Sequence, residues 1–213
     1  MKALGMIEVY SFSTAVCVAD VCAKAADVKV IAFDRNRPIS PDVPAPLVMI
    51  VKLEGDVGAV ESAVEAGVAF AKSRGKYIVS HIIANMGEGA DKMAYLIDIN
   101  KDKFNKRLKE TMKGEGMIHG VAIGLLEISG LVASIEALDA MVKAADVNIV
   151  HTEKRLGGRL VTLIICGKVD AVTAAIEAGQ KHGAPLGKVY GAEIIPSPSE
   201  EVKKFFDFEH ITE

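Results

Sequence analysis

Two hydrophobic rhythms alternate along this chain, and their order is clearest in its second half. Val121–Ser129 is an apolar run of strand length. Leu131, Ile135, Leu138, Met141 and Val142 then recur at helical spacing as far as Ala145. Asp146 closes that helix, and Lys143 sits in its last turn, where a cation suits the carbonyl end. Val147–Thr152 reads as a short strand, and Glu153–Arg159 as a loop that turns at Gly157-Gly158. Leu160–Cys166 is too short for a helix and rich in β-branched residues, so it predicts a buried strand. Val169–Gln180 predicts a second helix with Val172, Ala175 and Ile176 inward, and Lys188–Ile195 a fourth strand. A third helix is expected from Ser197, with Ser197 as N-cap, Pro198 at the first helical position and Glu200 closing a capping box. The order β-α-β-β-α-β is the split βαβ, ferredoxin-like pattern, an α/β (α+β) fold with a mostly antiparallel sheet and both helices on one face.

The first half carries the same order. Gly5-Met-Ile-Glu8 matches Gly124-Leu-Leu-Glu127, and Ala23–Val28 matches Val142–Val147, both 119 positions apart. Gly55–Val60 matches Gly167–Val172, Glu65-Ala-Gly67 matches Glu177-Ala-Gly179, and Ile82-Ile83 matches Ile194-Ile195, all 112 apart. The drop in spacing places an insertion of seven residues in the first copy, in the stretch Asp34–Pro46 with its prolines at 38, 41, 44 and 46. Five segments in order and register amount to a tandem duplication of a domain-sized unit. The expected division is a first domain at 1–90, a helical linker at 91–118 and a second domain at 119–213.

Composition narrows the function. The chain has 213 residues, and the balance of 25 basic against 28 acidic residues leaves no cationic excess to neutralise phosphates. Aromatics are 5% of the chain, with no Trp, a poor basis for stacking on bases. No nucleic-acid partner is expected. No apolar run reaches the ~18–20 residues that span a bilayer, and Glu8 interrupts the N-terminus before a signal-peptide core forms. A cytoplasmic protein with no membrane partner is therefore expected. The three cysteines, Cys17, Cys22 and Cys166, form no CxxC pair, and the five histidines make no HxxxH or HExxH, so no metal site is expected. Glu8 and Glu127 occupy equivalent strand positions in separate domains and read as structural hydrogen-bond acceptors. No catalytic residue and no cofactor are expected, and the chain is read as not an enzyme.

The strand Ala3-Leu-Gly-Met-Ile-Glu8, the helix end Val142-Lys-Ala-Ala-Asp-Val147, the step Gly55-Asp-Val-Gly-Ala-Val60 and the tail Ile195-Pro-Ser-Pro-Ser-Glu-Glu-Val202 resemble bacterial microcompartment shell proteins, over nearly the whole chain. The family's single-domain members form flat hexamers that tile a shell facet. Its tandem members form trimers that mimic a hexamer, and the unpermuted order here resembles that tandem (BMC) class. The resemblance implies a homotrimeric pseudohexamer in the microcompartment shell, with other shell proteins as partners and a central pore that passes or gates polar or anionic metabolites.

The resemblance also implies particular positions. Lys24 and Lys143 match the family's edge lysine, which packs across the junction between neighbouring oligomers. The pore-facing loop corresponds to Arg155, Leu156, Gly157, Gly158 and Arg159 in copy two. In copy one it corresponds to the expanded Arg35–Pro46, with Arg35, Asn36, Arg37, Pro38, Ile39, Ser40 and Asp42 as pore-lining candidates. Neither loop contains the cysteine with which some tandem members hold an iron–sulfur cluster, so no such cluster is expected. Three chains around one axis would present each loop arginine three times, and a ring of cations concentrates anions. A small-molecule-sensing oligomer of ferredoxin-like domains is the alternative reading.

Overall fold

The computed structural model of the chain describes residues 2–36, 38, 40, 42–85, 121–153 and 160–206. Two compact units divide it: Met1–Met112 with Ser199–Phe205, and Lys113–Pro198 with Phe206–Glu213. The expected linker helix over 91–118 lies outside the described residues.

The first unit runs β1 (Ala3–Tyr10), α1 (Phe12–Ala25), β2 (Val28–Asn36), β3 (Val48–Gly55), α2 (Val57–Ser73) and β4 (Tyr77–Ile83). Its sheet has the order β2-β3-β1-β4, and every neighbouring pair is antiparallel. The second unit repeats this with β5 (Ala122–Ser129), α3 (Leu131–Ala144), β6 (Asn148–Glu153), β7 (Leu160–Gly167), α4 (Val169–Gly183) and β8 (Val189–Ile195), in the order β6-β7-β5-β8. This is the expected split βαβ arrangement in both copies. Even the irregularities repeat: pairing slips between Val30 and Ala32 in β2, and between Ile149 and His151 in β6.

The core is aliphatic, as the scarcity of aromatics requires. In the second unit Leu126, Leu163, Ile165, Met141, Val172 and Ile176 form one buried cluster between sheet and helices. The glycine that opens the repeated Gly-x-x-Glu strand has a packing reason. A Cβ on Gly124 would lie 2.8 Å from Val172 and 3.0 Å from Ile176, and one on Gly5 would lie 2.7 Å from Val60 and 2.8 Å from Val64. The second helix of each unit thus rests directly on its central strand. At that spacing even a methyl group forces its neighbours to move.

The C-terminal helix departs from expectation in two ways. α5 spans Glu200–Lys203 with Ser199 as N-cap, and Ser199 makes no side-chain cap hydrogen bond, so the helix starts two residues later than the Ser-Pro-Ser-Glu pattern predicts. It also packs on the first unit, against α1 and β2. The Ser199 N–H donates to Asp20 Oδ1 at 2.6 Å, and the Val30 N–H donates to Glu201 Oε2 at 2.6 Å. Phe205 meets Phe33 edge-on with ring centroids 4.8 Å apart, and Phe33 in turn meets Phe12 at 6.1 Å. Two charge-assisted hydrogen bonds and an aromatic contact outweigh a local cap that any solvent-facing serine could provide.

Candidate functional site

The β2–β3 connection is built from its two ends. β2 continues through Arg35 and Asn36, which pair with Met49 and Val48, so these two candidates are exposed strand residues and not part of a free loop. Pro38 is half-buried, while Ser40 and Asp42 are exposed. The Asp42 N–H donates to Ser40 Oγ at 3.1 Å. Arg37 and Ile39 lie outside the described residues. From Pro44 to Leu47 the chain alternates, with Ala45 and Leu47 buried and Pro44 and Pro46 outward. The Leu47 carbonyl accepts the Ser11 N–H at 2.9 Å, which ties the returning end of the loop to the start of α1.

One residue before Arg35, a buried ion pair anchors the outgoing end. Lys52 Nζ lies 2.5 Å from Asp34 Oδ2, with the two side chains only 7% and 1% exposed. Lys52 is directly opposite Ala32 and Asp34 opposite Ile50, so the two charges meet diagonally across the β2–β3 ladder. At the corresponding position of the second unit stands Ile164, fully buried. The sequence reading missed this pair and placed Asp34 in the solvated loop. The available signal was a lysine in the middle of the largely apolar strand Val48–Gly55, where the second copy carries no charged residue.

In the second copy, the corresponding candidates Arg155, Leu156, Gly157, Gly158 and Arg159 all lie outside the described residues. The strands that lead into and out of that stretch, β6 ending at Glu153 and β7 beginning at Leu160, are in place.

The two candidate edge lysines occupy equivalent positions in the last turns of α1 and α3. Each pairs with the aspartate one turn before it. Lys24 Nζ is 2.5 Å from Asp20 Oδ2, and Lys143 Nζ is 2.5 Å from Asp139 Oδ2. An acid four residues before a lysine also has the sign that the helix dipole favours. The hydrogen bond from Lys143 to Asp139 raises the lysine above its ordinary 10.5, with the carboxylate charge adding to it. The surroundings differ between the halves: Asp20 is buried beneath α5, whereas Asp139 is half exposed. Lys143 and Asp139 border a shallow hollow between α3 and α4, floored by Ala140, Ala144 and Ala178. Across it His182 Nδ1 stands 3.7 Å from Glu136 Oε1.

Among the described residues, no group of three or more His, Cys, Asp or Glu side chains is arranged to hold a metal ion, and no helix is long and apolar enough to cross a membrane. All three cysteines are buried free thiols. Burial pushes Cys22 up to about 12 and Cys166 up to about 11. A thiol that keeps its proton is a poor nucleophile and a poor ligand.

The duplicated units have known counterparts. The BMC domain profile matches residues 3–86 and 122–198. The carboxysome assembly protein CcmO of Synechococcus elongatus (strain ATCC 33912 / PCC 7942 / FACHB-805) is 30% identical over 201 residues, which are 94% of this chain and 67% of that protein. The bacterial microcompartment shell protein PduA of Citrobacter freundii is 47% identical over 83 residues, 39% of this chain and 88% of that protein. A crystal structure of a microcompartment protein from Desulfitobacterium hafniense DCB aligns over 96% of this chain and 99% of that one, at 25% identity and a TM-score of 0.38. With both repeats matched and the same four-stranded sheet in each, the chain belongs to the BMC-domain family of microcompartment shell proteins, as a member with two domains in tandem.

Proposed function

We propose that three copies of this chain close a ring of six BMC domains, a trimer with the outline of a hexamer that tiles a facet of a microcompartment shell in the cytoplasm. The observation that carries this reading is the duplication itself. One polypeptide holds two matched domains with the same strand order and the same β2/β6 irregularity, so three chains supply six near-equivalent building blocks. Closed cyclic assembly is the usual outcome for such repeated surfaces. In this reading the domains are 1–90 and 119–213, joined by 91–118, and the protein acts as a structural tile with no catalytic role.

The ring encloses a pore lined by the two β–β connections. Arg35, Arg37, Arg155 and Arg159 face it three times each and bias it toward anionic or strongly polar metabolites. Lys24 and Lys143 lie at the rim and contact neighbouring shell proteins. Solution mass combined with electron microscopy of the assemblies tests the tile. A trimer that forms flat sheets, or joins sheets of hexameric shell proteins, is expected, and a stable monomer overturns the reading. Binding of a small effector without any sheet formation would instead favour a sensor.

A further inference from the structure

One ladder position separates the two units chemically. Asp34 stands opposite Ile50, and Glu153 stands opposite Thr162, the residue that repeats Ile50. Both units thus carry an acid at the same place near the end of an edge strand. Only the first unit sets a lysine diagonal to that acid, because Ile164 repeats Lys52. β3 lies between β2 and β1, and Lys52 pairs with Ala32 on one side and Met6 on the other, so its backbone is held from both sides. β2 has one ladder neighbour. The connection that follows it is seven residues longer than the one after β6. The end of an edge strand beside a long connection is the part of a sheet that opens most readily. A buried ion pair adds little stability, since desolvation offsets its attraction and an apolar residue such as Ile164 serves as well. What the pair supplies is a single arrangement: Asp34 can leave the interior only by abandoning Lys52 as an uncompensated buried charge.

We infer that Lys52 is a positioning residue for the passage of anions: through Asp34 it holds the end of β2 in the ladder and so fixes where Arg35 stands. Successive residues of a strand point to opposite faces, so the direction of Arg35 is set once Asp34 is held against Lys52. Arg35 pairs with Met49 in the ladder, is exposed, and among the described residues makes no ion pair. Lys52 is 7% exposed and acts on a passing metabolite only through the strand it holds. A cation carried on a fixed strand end keeps its charge at one place in the wall, where the field of a ring of such charges concentrates anions. The inference rests on the reading of Arg35 as pore-lining and adds to it an interior pair on which the placement of that charge depends.

The test compares the full-length wild type, the double variant Lys52→Met/Asp34→Asn and Arg35→Gln, by hydrogen exchange and by the uptake of an anionic against a neutral substrate into assembled shells. The double variant removes both charges, so its urea midpoint stays near wild type while the tie is lost. Expected in it are exchange several-fold faster at 33–36 with β1 and β4 unchanged, and an anion-to-neutral uptake ratio that falls to that of Arg35→Gln. A merely structural role for the pair would shift the midpoint and leave that ratio alone. The wild type gives a readout that needs no variant: amides at 33–36 exchange several-fold more slowly than those at 150–153, the matching stretch of β6 without the lysine. Exchange at 33–36 as slow in the double variant as in wild type overturns the inference, and so does wild-type exchange as fast there as in β6. A double variant with the wild-type uptake ratio, where Arg35→Gln lowers it, overturns the positioning role and leaves the pore reading intact. An unchanged ratio in Arg35→Gln overturns the pore reading at Arg35 and this inference with it.

Discussion

At the step from β1 to α1, Ser11 holds φ 81° and ψ 135°, where the second unit places Gly130 at φ 94° and ψ 134°. A side chain is strained in that region, by about 1–3 kcal/mol. Ser11 is held there by the Leu47 carbonyl on its N–H and by a 2.8 Å contact between its hydroxyl and that of Ser13. Ser11→Gly is expected to raise the urea midpoint by the equivalent of about 1 kcal/mol, part of the released strain being offset by the lost hydroxyl contact. The buried Lys52–Asp34 pair behaves differently. Lys52→Met leaves a buried carboxylate facing an apolar side chain and is expected to cost about 3–5 kcal/mol, most of it recovered in the double variant Lys52→Met/Asp34→Asn. The thiols set an alkaline limit. In the unfolded chain they ionise from about pH 9, whereas Cys22 and Cys166 keep their protons in the fold to about 12 and about 11. The unfolded state then binds fewer protons, so stability falls as pH rises above 9, by about 1.4 kcal/mol per unit for each thiol. Thermal scans from pH 8 to 11 check this, and Cys22→Ala is expected to flatten the decline.

At the scale of elements, the boundaries follow local pattern closely. α3 was expected over Leu131–Ala145 and spans Leu131–Ala144, and β7 was expected over Leu160–Cys166 and spans Leu160–Gly167. Period and punctuation fix the bounds but not the buried face: α3 buries Ala133, Ser134, Ala137 and Met141 while Leu131, Ile135 and Val142 of its apolar stripe stand exposed, and β7 is buried on both faces up to Gly167. The tail was legible as a helix but not in its start or its destination. Its capping pattern is local, while its partners Asp20 and Val30 lie 179 and 171 positions away. Glu201→Ala removes the acceptor of a strand-edge N–H and is expected to cost about 1.5–3 kcal/mol. Hydrogen exchange should then speed up at Val30 and leave β6 unchanged. Lys143→Ala removes an exposed pair and is expected to leave the unfolding midpoint unchanged while weakening sheet assembly.

At the scale of the whole molecule, the duplication makes each half an internal control for the other. Where they differ, the first unit has a long proline-rich connection, a buried ion pair beneath it and a covered α1, while the second has a shorter connection, Ile164 in place of lysine, and a bare α3. The candidate pore residues were named from resemblance, and the structure moved two of them, Arg35 and Asn36, onto the end of a strand. If their charges select metabolites, Arg155→Gln/Arg159→Gln should slow the passage of an anionic substrate into assembled shells several-fold and leave trimer mass unchanged. Equal flux in variant and wild-type shells would remove the charged-pore proposal and leave the tile standing.

By itself the sequence determined that there are two copies of one βαββαβ unit, the order of their elements, an aliphatic core and the family to which they belong. The copies and the order of their elements are written in short-range periodicity, which a repeat writes twice, while the core follows from composition and the family from motifs that resemble its members. Only the tertiary structure decided that the C-terminal helix clasps the first unit, that Asp34 and Lys52 meet in the interior, and that the α3 face of the second unit is left uncovered. Each of these depends on which residues meet in space: the tail reaches partners 171 and 179 positions away, the ion pair joins two neighbouring strands, and neither contact leaves a period in the chain that a local reading could detect.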